Sequence, residues 1–238
     1  MADDNNTVVE YSKADLAKAS PAPTVTISSS GLNHSDGLAF DPSGDLSVAN
    51  YQSNAVEFTK AQLAKSGSPS PLVTISYIGA CSLAFDPSGD LWVGGAESLG
   101  STVVEFAKAQ LAKSGSPTPR VSISSQSLDE PCRPTFDSSG DMWASNYLGG
   151  SVVEFAKAQL ARSGSPAPRV TIFTNSMSSP GDVALDSAGD LWVPNAGTNA
   201  IFEFAKTELA KSGLPTPAKT IAGPATGLNW PWALAIEP

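Results

Sequence analysis

Short apolar segments recur along the whole chain, and polar turns separate them at nearly constant distances. A stretch such as LAFDPSGDLWV places a D-P-S-G-D turn between two apolar runs, and a run such as TVVEF follows it. This pattern predicts two strands joined by a hairpin, because proline presets the turn and glycine accepts its left-handed conformation. The β-branched and aromatic run predicts a third strand.

The pattern belongs to a tandem repeat. Residues 102–123 and 151–172 differ at only four positions. One glutamate marks each of five copies, at spacings of 47, 48, 49 and 49 residues: Glu10, Glu57, Glu105, Glu154 and Glu203. A period of this size is typical of propellers and solenoids.

The segment after the third strand differs in composition. AKAQLAKSG is rich in good helix formers and ends on a glycine, which suits the position after a helix. It predicts a helix of about two turns, too short to be stable alone. We expect it to pack on the sheet through one leucine per repeat: Leu63, Leu111, Leu160 and Leu209. The SPTP-like stretch that follows ends the helix and leads into a fourth strand.

These elements predict an all-β fold, a five-bladed β-propeller with a short helix inserted between the third and fourth strands of each blade. The chain opens on TVVEY, which matches a third strand, and closes on WALAIEP, which matches a first strand. We therefore expect the N- and C-terminal strands to pair and close the ring, which removes exposed sheet edges. Residues 1–238 would then form a single β-propeller domain. The alternative is an open α/β solenoid of the same period.

The hairpin motif resembles known propeller repeats. GLAFDPSGDL followed by VAN is similar to NHL-type repeats, and to blades of virginiamycin B lyase-like proteins and of gluconolactonase and senescence-marker lactonases. The resemblance covers the first three strands of each repeat and not the helix or the SPTP stretch. It implies a propeller, whereas proteins with such propellers include lyases, metal-dependent lactonases and binding modules.

Charge and composition argue against several partners. The net charge of −9 argues against nucleic acid, whose phosphates need a basic surface. No uncharged apolar run is long enough to cross a bilayer, so we expect no membrane partner and a soluble monomer. The opening MADDNN is not a signal peptide, and we expect the natural bacterial protein to be secreted or periplasmic with its leader removed. Cys81 and Cys132 occupy the same place in adjacent repeats, and the sequence leaves open whether they are bridged.

The connections before the first strand and after the second vary between repeats, whereas the frame does not. In such propellers both sets of loops share one face at the channel mouth, and their divergence favours one asymmetric ligand site. The alternative is that exposed loops are under little constraint. The candidate ligand-binding residues of this loop face are His34, Asp36, Tyr51, Asp129, Glu130, Arg133, Tyr147, Asp182, Asn195, Asn229, Trp230 and Trp232.

Two chemistries suit these residues. Asp36 and Asp182 are candidate ligands for Ca²⁺ or Mg²⁺, which bind oxygen atoms, although the sequence requires no cofactor. Tryptophan and tyrosine beside asparagine and aspartate suit a sugar. Alternatively, Trp230 and Trp232 plug the channel or seal the closing blade. A lysine in each predicted helix forms a second surface, either simply solvated or a docking ring.

The sequence favours binding over catalysis. The lyase resemblance implies a catalytic histidine near a bound metal, and the lactonase resemblance implies a glutamate, an asparagine and an aspartate around one. The chain has a single histidine, His34, so we assign no catalytic residue. We expect a non-enzymatic binding or interaction propeller that takes a small molecule, a glycan or a protein at the loop face. The alternatives are a divalent-metal-dependent lactonase or lyase and a lectin-like carbohydrate-binding module.

Overall fold

Small antiparallel sheets follow one another along the chain, one for each repeat. The computed structural model describes residues 2–3, 6–12, 22–51, 53–76, 80–95, 101–234 and 236. Four sheets have four strands each and are called blades I to IV; the N-terminal sheet has three strands. The N-terminal sheet consists of β1 (Ala2–Asp3), β2 (Thr7–Glu10) and β3 (Val25–Ser28). Blade I consists of β4 (Ser35–Phe40), β5 (Leu46–Asn50), β6 (Asn54–Phe58) and β7 (Val73–Ile75).

The remaining blades repeat this order. Blade II consists of β8 (Ala80–Phe85), β9 (Leu91–Gly95), β10 (Thr102–Phe106) and β11 (Val121–Ser124). Blade III consists of β12 (Pro131–Phe136), β13 (Met142–Asn146), β14 (Ser151–Phe155) and β15 (Val170–Phe173). Blade IV consists of β16 (Ala184–Leu185), β17 (Leu191–Asn195), β18 (Ala200–Phe204) and β19 (Lys219–Ala222). The first strands lie side by side, with β8 against β4 and β12, and β12 against β16. This is the arrangement of an all-β propeller.

The hairpin between the first two strands forms as the sequence predicts. The Asp41 carboxylate oxygen Oδ1 accepts hydrogen bonds from the Ser43 and Asp45 amides, both at 2.8 Å. Gly44 closes the turn with φ of 86°, in the left-handed region that favours glycine. The same turn recurs in the other three blades, with φ between 81° and 83° at the glycine.

The prediction of five blades in a closed ring is wrong, because the structure has four complete blades. In the N-terminal sheet, β1 has only two residues, and the part of the chain that the structure describes supplies no first strand. The segment predicted to supply that strand is not a strand at Pro231–Leu234. The Trp232 carbonyl instead accepts a hydrogen bond from the Asp182 amide at 2.8 Å, which places the segment beside blade IV. Phe136 of blade III packs 5.8 Å from the Trp92 ring of blade II, whereas its equivalent Phe40 is 64% exposed.

The prediction of a two-turn helix in each blade is also wrong. Single 3₁₀ turns of three to five residues occupy these positions, at Gln62–Ala64, Lys108–Ala112, Lys157–Gln159 and Lys206–Glu208. The glutamine of the segment folds back on its own start, since Gln110 Oε1 accepts the Ala107 amide at 2.8 Å. Lys113 is already extended, so the helix cannot continue. No helix in the described part of the chain is long and apolar enough to cross a membrane. The predicted helix of the first repeat lies outside the described residues.

After each 3₁₀ turn, a serine and a glycine form hydrogen bonds to the last strand of the preceding sheet. We call this set of hydrogen bonds the clasp. Between blades II and III, the Gly164 amide donates to the Ser122 carbonyl and the Gly164 carbonyl accepts the Ser124 amide, both at 3.0 Å. Ser163 Oγ accepts the Ser122 amide at 3.0 Å. The other three interfaces repeat this clasp at Gly67, Gly115 and Gly213. The clasp explains the extended backbone after the 3₁₀ turn.

The hydrophobic core lies between blades. Val73 and Ile75 of blade I pack with Leu91, Phe106 and Leu111 of blade II in one buried cluster. Leu111 therefore fills an interface between two sheets rather than covering its own sheet. Leu160 and Leu209 fill the next two interfaces in the same way. Each repeat is thus stabilised mainly by its neighbour, as in other repeat proteins.

Candidate functional site

A buried asparagine at the end of the second strand organises the loop face of three blades. Asn195 is fully buried, and its Oδ1 accepts the Ser178 amide at 2.7 Å while its Nδ2 donates to the Ser176 carbonyl at 2.7 Å. Asn50 and Asn146 hold their own connections with equivalent bonds. Because these amides satisfy backbone groups of the connecting loop, they preorganise the loop face.

At four described positions, the residue just before the first strand of a blade, or before the equivalent segment, has a left-handed backbone conformation. His34, Glu130, Ser179 and Trp230 have φ between 48° and 53°. Non-glycine residues seldom adopt this conformation, so the surrounding bonds must maintain it. The Trp230 amide donates to Asn199 Oδ1 at 2.7 Å, as the His34 amide donates to Asn6 Oδ1 at 2.9 Å. The loops that differ most in sequence therefore share one backbone frame.

A groove on the loop face of blade III is a candidate binding site. It lies between residues 147–151 and 173–179 and has a volume of about 610 Å³. Leu148 and Phe173 on its walls are 63% and 40% exposed. The Tyr147 ring meets the Trp232 ring edge-on, with 5.1 Å between the centroids. None of the ten lining residues is an acidic or basic residue: Tyr147, Leu148, Gly149, Gly150, Ser151, Phe173, Thr174, Met177, Ser178 and Ser179.

Of the sequence-predicted site residues, Tyr147 lines this groove. Tyr147 and Trp232 are in contact, and Asp182 binds the Trp232 carbonyl through its own amide. Asp182 and Asn195 are buried. Glu130 is half-buried, and the exposed candidates are His34, Asp36, Tyr51, Asp129, Asn229, Trp230 and Trp232. The side chains of Arg133, Cys81 and Cys132 lie outside the described residues, so the disulfide question stays a prediction.

The two candidate metal ligands do not belong to the acidic clusters of the described residues. Those clusters are Asp86–Asp90–Glu105 in blade II and Asp137–Asp141–Glu154 in blade III, and neither contains Asp36 or Asp182. An arginine enters each cluster. Arg120 Nη2 lies 2.7 Å from Asp90 Oδ2 and also binds Glu105, and Arg169 makes the equivalent pairs.

The blades differ in whether an arginine compensates the charge of the recurring glutamate. Burial raises the pKa of the Glu105 carboxyl, and Arg120 opposes that rise by binding the ionised form. Blade I has Leu72 in place of the arginine. There, burial and the charges of Asp45 and Asp41 all raise the pKa of Glu57. The recurring glutamate and the arginines at positions 120 and 169 are visible in the sequence, but only the fold pairs them.

The lysines at the 3₁₀ turns bind the acidic residues of the hairpins through their backbone amides. The Lys157 amide donates to Asp141 Oδ1 at 2.8 Å, and its side chain lies beside the hairpin glycine, Gly140. The docking ring suggested by these lysines stays a prediction.

Sequence reasoning missed the apolar walls of the groove. Leu148, Phe173 and Met177 occur in or next to loops, where isolated apolar residues are common and carry little information. A useful signal is that Leu148 and Phe173 replace the small or polar residues of other repeats. Only the structure shows that they line one groove.

Comparison with known proteins identifies the fold. No family model and no curated protein matches the chain. Virginiamycin B lyase from Staphylococcus aureus superposes with a TM-score of 0.53 at 15% identity, covering 73% of this chain and 53% of the lyase. A streptogramin B lyase structure gives a TM-score of 0.52 at 14% identity, covering 73% of this chain and 52% of that one. A protein of unknown function from Bacteroides caccae gives 0.55 at 11% identity, covering 79% and 60%.

The likeness is one of architecture. The chain spans about half the length of the two lyases, and the identities are too low to carry an activity across. The resemblance to virginiamycin B lyase-like proteins is confirmed, and the chain is a β-propeller similar in fold to them.

Proposed function

We propose that the protein is a non-enzymatic binding propeller whose ligand occupies the groove between residues 147–151 and 173–179. The observation that supports this best is the groove's lining, which combines the exposed apolar side chains of Leu148 and Phe173 with serine and threonine hydroxyls, while the Asp129 carboxylate lies beside Gly149. Exposed apolar surface in a concave site gains free energy when a ligand removes it from water.

The lining favours one class of ligand. Leu148 and Phe173 offer apolar contacts, and Tyr147, whose ring meets that of Trp232 edge-on, adds an aromatic contact. A segment of a protein or peptide that presents apolar side chains fits these walls. Such a segment would bind a monomeric, exported propeller at its loop face.

The test is selection of peptides from a displayed library on the full chain, followed by measurement of their affinity. Leu148→Ser and Phe173→Ser should each weaken binding about tenfold or more, since burying a large apolar side chain contributes roughly 1.5–3 kcal/mol. Leu214→Ser is the matched control, because Leu214 is 56% exposed and lies outside the groove. Equal affinity of all three variants would refute the assignment of the groove.

The alternative of a divalent-metal-dependent lactonase or lyase is supported by the likeness to the lyase structures. It predicts that Ca²⁺, Mg²⁺ or Mn²⁺ raises the unfolding temperature relative to EDTA. Metal at 100 times its Kd would add about 2.7 kcal/mol of stability. A clear rise would favour this alternative over the binding propeller.

A further inference from the structure

Three blades place an indole and a cation beside the recurring glutamate. The equivalent sets are Trp92, Glu105 and Arg120 in blade II, Trp143, Glu154 and Arg169 in blade III, and Trp192, Glu203 and Lys219 in blade IV. In blade IV, Lys219 Nζ lies 2.6 Å from Glu203 Oε2 and 5.5 Å from the centre of the Trp192 ring. A carboxylate and the face of an indole ring both attract a cation, so these groups stabilise one another.

Glu10 is the equivalent glutamate of the N-terminal sheet, and it lacks both companions among the described residues. The Thr24 amide donates to the Glu10 carbonyl at 2.7 Å, as the Arg120 amide donates to the Glu105 carbonyl, so a threonine stands in the place of the arginine. Both residues of β1 pair with earlier residues of β2, so β1 places no side chain opposite Glu10. The indole and the cation of the other blades are therefore both missing here.

The cleft beside Glu10 is open and apolar. It lies between the N-terminal sheet and blade I and has a volume of about 370 Å³, which is in the range of small-molecule sites. Phe40 on its wall is 64% exposed, and Glu10 is also exposed, so a ligand can reach both side chains. Glu10 is the only acidic or basic residue in the described lining, which otherwise consists of Phe40, Tyr11 and aliphatic side chains. The cleft thus combines one carboxylate with an aromatic and aliphatic wall.

Blade I lacks the same two groups but leaves no room for a ligand. Ser47 lies opposite Glu57, and Leu72 occupies the place of the arginine. The cleft that these residues share with blade II has a volume of only about 10 Å³. The missing groups and an open cleft therefore coincide beside Glu10.

We propose that the cleft between the N-terminal sheet and blade I binds a small aromatic amine, whose ring packs on Phe40 and whose ammonium group pairs with Glu10. The ligand supplies the ring and the cation that Trp192 and Lys219 supply in blade IV. The net charge of −9 adds a long-range attraction for a cation. This cleft shares no lining residue with the groove on the loop face, so the proposal does not depend on the function proposed for that groove.

The experiment is calorimetric titration of the full chain with three ligands that share an indole ring and differ in charge. Tryptamine is the cation, 3-methylindole is neutral and indole-3-acetate is the anion. Tryptamine should bind at one site, and indole-3-acetate should bind about tenfold more weakly or not at all because Glu10 repels it. Glu10→Gln should weaken tryptamine binding about threefold to fivefold, as expected for an exposed ion pair, and should leave the affinity for 3-methylindole within about twofold.

Phe40→Ser tests the apolar wall independently of charge. It should weaken the binding of tryptamine and of 3-methylindole alike, by about tenfold. Leu214→Ser is the matched control, because Leu214 is 56% exposed and lies outside the cleft, and it should bind both ligands as the wild type does. Because Phe40 and Glu10 are exposed, both variants should fold, which circular dichroism checks.

Three outcomes overturn the proposal. The first is the absence of tryptamine binding up to roughly 10 mM. The second is an equal effect of Glu10→Gln on the cationic and the neutral ligand, which would remove the role of the carboxylate. The third is a dimer in light scattering that Phe40→Ser dissociates, because a second copy of the chain would then fill the cleft.

Discussion

Removing the guanidinium of Arg169 should lower the folding stability, because it takes away the cation that compensates a buried carboxylate. Glu154 is 1% exposed. Arg169 Nε lies 3.0 Å from Glu154 Oε2, and Arg169 Nη2 binds Glu154 Oε1 and lies 3.0 Å from Asp141 Oδ2. Arg169→Met keeps most of the apolar length of the side chain but leaves Glu154 buried without its cation. The expected result is a loss of folding stability that depends on whether Glu154 is ionised.

The magnitude follows from burial. Breaking a fully buried ion pair by removing one partner costs about 3–5 kcal/mol. The Arg169 side chain is 53% exposed, so water replaces part of the lost interaction. We therefore expect the free energy of unfolding to fall by about 2–3 kcal/mol near neutral pH.

The pH dependence has a definite sign. Burial raises the pKa of Glu154 in the folded state, and Arg169 lowers it by binding the ionised form. Without Arg169 the folded-state pKa rises further above the unfolded value. A raised pKa contributes stability that is present at low pH and is lost as pH rises through the folded-state value. The cost of Arg169→Met should therefore be larger at about pH 7.5 than at about pH 5.

Urea unfolding followed by tryptophan fluorescence measures both values. Arg162→Met is the matched control, because Arg162 is exposed and should change stability little at either pH. Glu154→Gln in the Arg169→Met background should recover part of the loss, since a neutral amide is cheaper to bury than a carboxylate. An equal cost at both pH values, or no recovery by Glu154→Gln, would refute the reasoning.

Three further predictions concern the repeat frame. Leu72→Arg should raise the free energy of unfolding by about 0.5–1.5 kcal/mol, more at neutral than at acidic pH, because it supplies Glu57 with the cation that blades II and III have. Gly164→Pro should cost about 1–3 kcal/mol because it removes the amide that donates to Ser122, whereas Gly164→Ala should be nearly neutral because an added Cβ meets nothing within 4 Å. Asn195→Ala should cost about 2–4 kcal/mol in urea unfolding, because it leaves buried loop amides and carbonyls without partners.

Controls separate these effects from general damage. Leu72→Gln tests whether the charge of the new side chain matters, and an equal gain from glutamine would contradict the ion-pair argument. Gly164→Ala serves as the control for Gly164→Pro. For Asn195→Ala the control is Asn229→Ala at an exposed position, and similar losses from both would contradict a specific role for the buried amide.

The hairpins were predictable because their determinants are local. Asp41 accepts from the amides of its own turn, and Gly44 supplies the left-handed conformation within the same five residues. Nothing distant is needed to form this turn. The helix prediction was wrong because the determinant is not local. A short helix before Gly164 would be only marginally stable, and the hydrogen bonds of Gly164 to the neighbouring blade favour an extended backbone instead. Those bonds keep the chain extended after a single 3₁₀ turn.

The candidate site was only partly predictable. The sequence indicated Tyr147 and Trp232 as loop-face aromatics, and the structure brings their rings to 5.1 Å. It also indicated Asn195 as a ligand-binding group, but this side chain is fully buried and holds its own loop.

The sequence by itself determined the repeat, its strands, its turns and the propeller architecture. These depend on the period of apolar residues and on turn chemistry, both of which act over a few residues. Only the tertiary structure decided the number of complete blades, the extended path after each 3₁₀ turn, and the grouping of side chains around a groove. Those properties depend on contacts between repeats, such as the hydrogen bond from the Asp182 amide to the Trp232 carbonyl. The free energies of such contacts cannot be read from a pattern of neighbouring residues.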